Sequence, residues 1–408
     1  MKTDLDHLME ARDLDAIVVS GKVLGNTSLI YMLNGVHLTS AQVIQKRGGG
    51  PHLIVSPIER EEALAAGYPL TLTTQYNFNE LIAEYQGDLL AATVEYQQRI
   101  FEDLDVRGRI GFYGARDQGE SYVFLNALNA AMLYGEVVGE FGENLLLEAR
   151  ATKDAAEVAR IREVGRRTAE VVRQTLAFLQ QHPAGADEIL RRPDGAALTV
   201  GDVHGHIQHL IAAQGLENPE GFIFSTGRDA AVPHNKGTLS APIRLGECII
   251  FDIYPREVNG YFFDMTRTFC LGYAPEPMQR LHQDVQDVMA HIKAAYRVGE
   301  LARSYQQMAC DFFKTRGHPT LGDDPATLAG YVHGLGHGVG LNIHESPGFQ
   351  DNDANLTVLQ PGHVFTLEPG LYYPDQGIAC RLEDVIWIDP DGVAQTLTDF
   401  PYDLVIPM

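Results

Sequence analysis

An apolar strand interrupted by a single carboxylate is the feature that most constrains this chain. The run Cys248–Ile253 is apolar except for Asp252, and a second run, Tyr261–Phe269, carries Asp264. A turn centred near Val258 would pair the two runs as a hairpin with Asp252 directly opposite Asp264. Cross-strand neighbours have Cβ atoms roughly 5 Å apart, so two carboxylates in this arrangement repel each other and need a cation or a shared proton.

The same pattern recurs near the C-terminus. Val364–Glu368 and Ala379–Glu383 are strand-like runs that flank the turn Pro374–Gly377. The midpoint of Glu368 and Glu383 falls at the centre of that turn. The pattern therefore predicts a second hairpin with a second pair of opposed carboxylates.

A glycine-rich segment with three histidines lies between the two hairpins. It spans His333–Pro347 and includes His337 and His344. Its glycines allow close approach of the backbone, and a neutral imidazole is a common metal ligand.

The two carboxylate pairs together point to metal binding. A lone aspartate in a strand is more often structural, but like charges 4 Å apart cost about 4 kcal/mol at an effective dielectric of 20. Two divalent ions would neutralise four carboxylates, with one histidine completing the ligand set. Such oxygen-rich ligands favour Mn²⁺, Fe²⁺ or Co²⁺ over a thiolate zinc site.

Composition excludes several other classes. The 31 basic residues are outnumbered by 54 acidic ones, giving a formal charge of −23, so nothing would neutralise the phosphates of a nucleic acid. No apolar run approaches the ~20 residues that span a bilayer, so no membrane partner is expected. The N-terminus lacks an apolar signal stretch, and the four cysteines include no C-x-x-C. We expect a cytoplasmic enzyme.

The pattern of elements predicts two domains. Residues 1–148 alternate strand-like and helix-like segments, as in a small α/β domain. A long amphipathic helix begins near Thr152, repeats apolar residues every three or four positions, and ends at His182–Pro183. We therefore expect a second domain over residues 149–408.

These motifs resemble the pita-bread metallopeptidase family, which includes Xaa-Pro dipeptidase (prolidase), aminopeptidase P and methionine aminopeptidase. The resemblance extends over residues ~150–408. The matching segments are Asp252–Ile253, Tyr261–Thr268, His333–Pro347, Phe365–Tyr372 and Arg381–Asp384. It implies an α/β (α+β) chain in which a small N-terminal α/β domain precedes a pita-bread catalytic domain. Methionine aminopeptidases usually lack such an N-terminal domain, which favours a proline-specific enzyme.

The resemblance also implies a role for each matching residue. The expected ligands of two divalent ions are Asp252, Asp264, His337, Glu368 and Glu383. Mn²⁺ is the expected metal, with Co²⁺, Fe²⁺ or Zn²⁺ as alternatives. The nucleophile would be a water or hydroxide bridging the metals. The expected catalytic residues are His234, His344 and Glu368, and the expected substrate-binding residues are His333, Arg381 and Tyr254. Arg381 would contact either the substrate or a metal ligand.

One departure from the family pattern concerns the substrate. Relatives commonly continue after the first metal aspartate with glycine and a small residue, whereas this chain has Tyr254–Pro255. Strand alternation places Tyr254 on the face of Asp252, so we expect its ring to enter the pocket. The alternative is that Pro255 turns the strand and the ring packs outside as part of the rim.

The expected activity is hydrolysis of the bond between an N-terminal residue and proline. Xaa-Pro dipeptides are the favoured substrates, and a homodimer is expected. Aminopeptidase P, which acts on longer peptides, is the alternative within the class. Alternatives from other classes are a non-catalytic pita-bread peptide-binding module and a dinuclear phosphoesterase.

Overall fold

The computed structural model describes residues 4–408, and the chain divides after Arg150 into two compact units. Each unit has its own sheets and its own buried apolar core. In the described part of the chain, no helix is both long enough and apolar enough to cross a membrane.

The first unit is a layered α/β structure. Its helices are α1 (Leu5–Ala11), α2 (Thr27–Met32), α3 (Arg60–Leu64), α4 (Phe78–Glu84), α5 (Leu89–Asp103), α6 (Gln118–Ala131) and α7 (Leu145–Ala151). Its strands are β1 (Ala16–Lys22), β2 (Ser40–Lys46), β3 (Pro51–Val55), β4 (Leu70–Leu72), β5 (Gly108–Ala115) and β6 (Gly135–Val138).

These six strands form one sheet in the order β4-β3-β2-β1-β5-β6. β2 is antiparallel to both of its neighbours, and the other adjacent pairs are parallel. Val18, Ile44 and Ile110 from the sheet pack with Ile100 and Leu128 from the helices to form the core.

The second unit combines long helices with several small sheets. Its helices are α8 (Ala155–Gln180), α9 (Val200–Ala213), α10 (Gly227–Ala230), α11 (Glu276–Ala295) and α12 (Ala302–Thr315). Its strands are β7 (Leu216–Glu217), β8 (Phe222–Thr226), β9 (Cys248–Ile253), β10 (Arg256–Glu257), β11 (Met265–Leu271), β12 (His337–Gly338), β13 (Glu345–Gly348), β14 (Val364–Leu367), β15 (Gly370–Tyr373), β16 (Ile378–Arg381), β17 (Asp384–Ile388), β18 (Ala394–Thr396) and β19 (Val405–Ile406).

Two sheets of this unit carry most of the candidate site. One has the strand order β19-β11-β9-β8, and the other is an antiparallel sheet with the order β13-β12-β14-β17-β18. β15 and β16 pair separately, as do β7 and β10. The core packs Ile250, Phe365 and Leu382 against Val285 of α11 and Phe313 of α12.

The long helix α8 begins as the sequence predicts. Asp154 caps its N-terminus by accepting hydrogen bonds from the backbone N–H groups of Ala156 and Glu157, and the Glu157 side chain accepts from the Asp154 N–H. This reciprocal capping box satisfies N–H groups that have no partner within the helix. The helix then buries an apolar stripe that includes Val158, Ile161 and Val172.

The first predicted hairpin forms with a different register. β9 and β11 pair with Asp252 opposite Thr266, and an isolated bridge joins Arg256 to Phe262. The hairpin is therefore centred on Asn259, which takes a left-handed backbone with φ of 47°. The prediction that Asp252 lies directly opposite Asp264 is wrong, because it places the centre of the turn one residue too early.

The second predicted hairpin has the expected register. Leu367 pairs with Asp384 in one ladder and Gly370 pairs with Arg381 in the next. Glu368 and Glu383 fall opposite each other in the gap between the two ladders. Neither residue takes part in the pairing of either ladder, and both side chains reach the candidate site from this gap.

Candidate metal centre and active site

The five expected metal ligands are supplied by strands or strand ends of the second unit. Asp252 lies on β9, Asp264 immediately precedes β11, and His337 opens β12. Glu368 directly follows β14, and Glu383 directly precedes β17. Strand pairing thus brings together residues that are distant in sequence.

Three of these residues approach one another closely. Ligand atoms of Asp264, His337 and Glu383 all lie within 4.8 Å of one another. The Nε2 atom of His337 is 3.7 Å from Oδ2 of Asp264 and 3.4 Å from Oε1 of Glu368.

Glycines make room for the strand that carries His337. A Cβ atom on Gly336 would lie 2.1 Å from the Thr366 carbonyl oxygen, and one on Gly338 would lie 2.1 Å from the Ser346 carbonyl oxygen. Side chains at either position would push β12 away from its neighbours. The glycines on both sides of His337 therefore hold its imidazole against the carboxylates.

Hydrogen bonding fixes the orientation of the His337 ring. Its Nδ1 lies 3.1 Å from the Gly338 carbonyl oxygen, which can only accept, so Nδ1 carries the proton. Burial lowers the pKa of His337 and keeps the ring neutral. The lone pair of Nε2 then faces carboxylate oxygens, an arrangement that suits a shared cation.

The carboxylates have buried oxygens that the protein leaves without partners. Among the described residues, Asp252 Oδ1, Asp264 Oδ1 and Glu383 Oε1 are buried and accept no hydrogen bond. Burial first, and then neighbouring carboxylates, raise the pKa of Asp264 and of Glu383 well above the usual range. Burial raises the pKa of Glu368 to about 7. Such acidic oxygens beside a neutral histidine fit hard or borderline divalent cations.

Arg381 is almost fully buried, and its donors are directed at protein groups. Its Nη2 donates to Oδ2 of Asp252, and its Nε donates to Thr266 Oγ1 over 3.1 Å. Its Nη1 donates to the Tyr372 hydroxyl over 2.7 Å and to the Pro233 carbonyl over 3.3 Å. Of the two roles predicted for Arg381, the contact with a metal ligand is the one that this geometry favours.

Tyr372 and Thr266 extend this network, and sequence reasoning did not single them out. The Tyr372 hydroxyl lies 3.0 Å from His333 Nε2, and Thr266 Oγ1 donates to Glu383 Oε2 over 2.7 Å. Burial, followed by the charge of Arg381, lowers the pKa of His333 to about 3, so this ring is neutral. Thr266 lies two residues after Asp264, and strand alternation could have indicated that both face the site.

The remaining candidates lie around the carboxylate cluster. The His344 ring centroid is 4.3 Å from that of His337, and burial lowers the pKa of His344. His234 is exposed and directly follows Pro233, whose carbonyl binds Arg381. Tyr254 lies just after β9, and burial, followed by the charges of Asp252 and Asp264, raises the pKa of its hydroxyl.

The chain belongs to metallopeptidase family M24, which it matches over residues 159–390, more than half of its length. Among curated proteins it is 31% identical to a Xaa-Pro dipeptidase of Pyrococcus furiosus over 205 residues, which is 50% of this chain and 55% of that protein. It is also 31% identical to a probable dipeptidase, PepE, of Mycobacterium tuberculosis over 209 residues, 51% and 52% of the two chains. These alignments span about half the length of each relative.

Solved structures extend the similarity to the whole fold. A dipeptidase from Pyrococcus horikoshii aligns over 100% of both chains with a TM-score of 0.73 and 23% identity. An X-Pro aminopeptidase from Thermotoga maritima aligns over 98% of this chain and 100% of its own, with a TM-score of 0.75 and 18% identity. The predicted fold is thereby confirmed: an N-terminal α/β domain and a pita-bread domain. The family implies a dinuclear metal site.

Proposed function

We propose that the protein is a dinuclear metallopeptidase that hydrolyses Xaa-Pro dipeptides. In this proposal residues 149–408 form the catalytic domain and residues 1–148 a separate N-terminal domain. The similarity to a Xaa-Pro dipeptidase supports the substrate class, and the carboxylate cluster supports the reaction type.

One observation carries the proposal. The lone pair of a neutral His337 faces Asp264 and Glu368, while buried oxygens of Asp252, Asp264 and Glu383 lack partners. Divalent cations would relieve this repulsion and satisfy these atoms together. Asp252, Asp264, His337, Glu368 and Glu383 are the residues that we propose would hold them. Mn²⁺ is the metal we expect.

The metals, when bound, polarise the scissile carbonyl and make water nucleophilic near neutral pH. The protein then has to move a proton and hold the substrate. We assign proton transfer to a Glu368 carboxylate oxygen, because burial moves the pKa of this group toward neutrality. His344 and His234 are assigned to bind the substrate and to donate hydrogen bonds to the oxygen that gains charge.

Arg381 acts in this scheme as a positioning residue. Its guanidinium joins Asp252 to the Pro233 carbonyl, and Pro233 directly precedes His234. It therefore connects a proposed metal ligand to a proposed substrate-binding segment. We propose that His333 orders this network through Tyr372 and lies near the substrate.

Peptide length is the test of the substrate. A dipeptidase must recognise a free C-terminal carboxylate and exclude longer chains, whereas an aminopeptidase leaves that side open. The purified chain, supplied with Mn²⁺ or Co²⁺, is assayed with Xaa-Pro dipeptides and matched Xaa-Pro-Xaa tripeptides. A higher kcat/KM for dipeptides supports the proposal, and a preference for tripeptides identifies aminopeptidase P activity instead.

Metal analysis of the same samples separates failure of catalysis from failure of metal loading. Two bound equivalents without hydrolysis of either peptide class would contradict the proposed peptidase activity and favour the non-catalytic alternative. A homodimer and a cytoplasmic location remain predictions, which sedimentation and cell fractionation test directly.

A further inference from the structure

The first unit contains an open cavity of about 1100 Å³ whose lining comes entirely from residues 20–124. It lies where β1, β3 and β5 end, and residues Ser20–Lys22, Ile54–Ser56 and Ala115–Asp117 line it. The order of the strands reverses its direction across the sheet at this position. From β1 the chain proceeds through β2, β3 and β4 on one side, while β5 and β6 lie on the other. Crevices at such a switch in strand order are the usual ligand sites of open α/β sheets.

A buried amide side chain with an unpaired donor belongs to the wall of this cavity. Gln97 lines the cavity and is only 4% exposed. Its Oε1 accepts a hydrogen bond from Gln42 Nε2 over 2.8 Å. Within residues 4–408, however, its Nε2 has no acceptor. A ligand carbonyl group would satisfy this donor if the Gln97 side chain turned its amide toward the cavity.

Aromatic side chains form another part of the wall. The rings of Phe78 and Tyr96 meet edge to face with centroids 5.6 Å apart, and Phe124 also lines the cavity. Aromatic walls of this kind pack against apolar or ring-shaped groups. The ligand should therefore carry an apolar side chain close to its carbonyl group.

The mouth of the cavity carries both signs of charge. Lys22 and Arg116 are exposed lining residues, and in the described chain no carboxylate lies within ion-pair distance of either. Asp117 and Glu120 also line the cavity, at the N-terminus of α6. Asp117 already accepts the Glu120 N–H there. The two carboxylates at this helix end would repel a phosphate group. Because the lining carries both basic and acidic side chains, it favours a ligand that is a zwitterion.

We propose that this cavity is a binding site for a short peptide with free termini and an aromatic side chain. The peptide carboxylate would be recognised by Lys22 and Arg116, its ammonium group by Asp117 and Glu120, and a peptide carbonyl by Gln97. The lining residues all belong to the first unit and include none of the proposed metal ligands. The proposal does not depend on which bond the metal centre hydrolyses.

The test is calorimetric titration of the full chain, kept free of metal by a chelator, with the tripeptide Gly-Phe-Gly. We expect one equivalent to bind. Gln97→Leu should weaken binding about tenfold through loss of one hydrogen bond. Gln98→Leu, on the same helix but outside the cavity lining, should bind like the original chain.

Two further variants guard against misfolding and against binding at the metal centre. Thr74→Trp should block the cavity from an exposed lining position without disturbing the core. His337→Ala should leave the binding of Gly-Phe-Gly unchanged. Loss of binding in His337→Ala, with Thr74→Trp unaffected, would place the peptide at the metal centre and overturn the proposal.

Two control ligands test the chemical class. Acetyl-Gly-Phe-Gly-amide lacks both terminal charges and should bind at least tenfold more weakly than Gly-Phe-Gly. Adenosine offers a neutral ring system of similar size. Binding of adenosine in preference to the peptide, or no binding of Gly-Phe-Gly at millimolar concentration, would overturn the proposal.

Discussion

At the scale of single residues, the orientation of His337 decides how its neighbours interact. With its proton on Nδ1 and held by the Gly338 carbonyl, the ring presents only a lone pair to Asp264 and Glu368. An acceptor facing acceptors is unfavourable unless a cation or a proton lies between them. The local chemistry of one tautomer thus requires a cation or a shared proton at this point, independently of the similarity to other proteins.

Glu383 provides the most direct test of the metal centre. We predict that Glu383→Ala retains at most one tightly bound metal, because it removes a buried carboxylate from the group formed with Asp264 and His337. Elemental analysis after gel filtration measures the ratio. Asp375→Ala removes an exposed carboxylate from the nearby turn and should retain two equivalents. Two equivalents together with normal turnover in Glu383→Ala would contradict the assignment.

His344 and His234 should affect catalysis without affecting metal content. We predict that His344→Ala and His234→Ala each bind metal normally and lose about 10²–10³-fold in kcat, as expected for removal of a donor to the developing negative charge. His209→Ala, at an exposed position on α9, is the matched control. A kcat equal to that of the original enzyme would remove the tested histidine from the active site.

Tyr254 should control which peptides fit. Tyr254→Gly removes a ring that strand alternation predicts on the same face as Asp252. We expect both metals to remain and the relative kcat/KM to shift about 10–200-fold toward bulkier or longer peptides. Tyr254→Phe retains the ring and should keep the original preference. An unchanged preference profile in Tyr254→Gly would show that the ring packs at the rim.

At the scale of structural elements, a buried ion pair anchors the segment that carries His344. Lys153 Nζ lies 2.6 Å from Oε1 of Glu345, and the two side chains are 1% and 2% exposed. The N–H of Asn342 donates to the other carboxylate oxygen of Glu345. The start of β13 is thereby tied to the chain just before α8.

We predict that Lys153→Met lowers the free energy of unfolding by about 3–5 kcal/mol, because it buries the Glu345 charge without its cation. Urea denaturation gives the value. Lys314→Met breaks a surface pair with Asp323 and should cost far less. The double variant Lys153→Met/Glu345→Gln should lose less than the sum of the single variants. Additive losses would contradict a direct coupling between the two charges.

The two hairpins illustrate what the sequence could and could not predict. Counting from the turn Pro374–Gly377 gives the register of Glu368 and Glu383 correctly. The same count around Val258 gives the wrong register for Asp252. The turn is centred one residue later, on Asn259, which is the residue with the left-handed backbone. The contacts of Arg381 with Asp252 and Pro233 join segments more than 120 residues apart, and no local pattern encodes them.

At the scale of the whole molecule, buried neutral histidines link stability to pH. Burial, followed by the charge of Arg267, lowers the pKa of His282 to about 4, while the Asp403 carboxylate opposes the shift. Its Nε2 is buried without a partner among the described residues. The unfolded chain, with an ordinary histidine pKa near 6.5, therefore binds a proton that the folded chain excludes between pH 6.5 and 4.

This difference means that stability falls as pH decreases through that window. We predict that His282→Leu reduces the loss of unfolding free energy between pH 7 and pH 5 by about 2 kcal/mol. Urea unfolding of the original chain and of the variant at both pH values measures the effect. His209→Leu, at an exposed position, should leave the loss unchanged. Equal losses in His282→Leu and the original chain would contradict the assignment.

The hydrogen bond between Thr266 and Glu383 has a consequence for the order of folding. It joins residues 117 positions apart and closes the cluster between two separate sheets. Such distant contacts require the closure of long loops and form slowly. Before this contact forms, we expect the acidic side chains to lie apart and in water. We therefore expect tight metal binding only after these distant segments have paired, so that metal uptake would report the end of folding rather than guide its beginning.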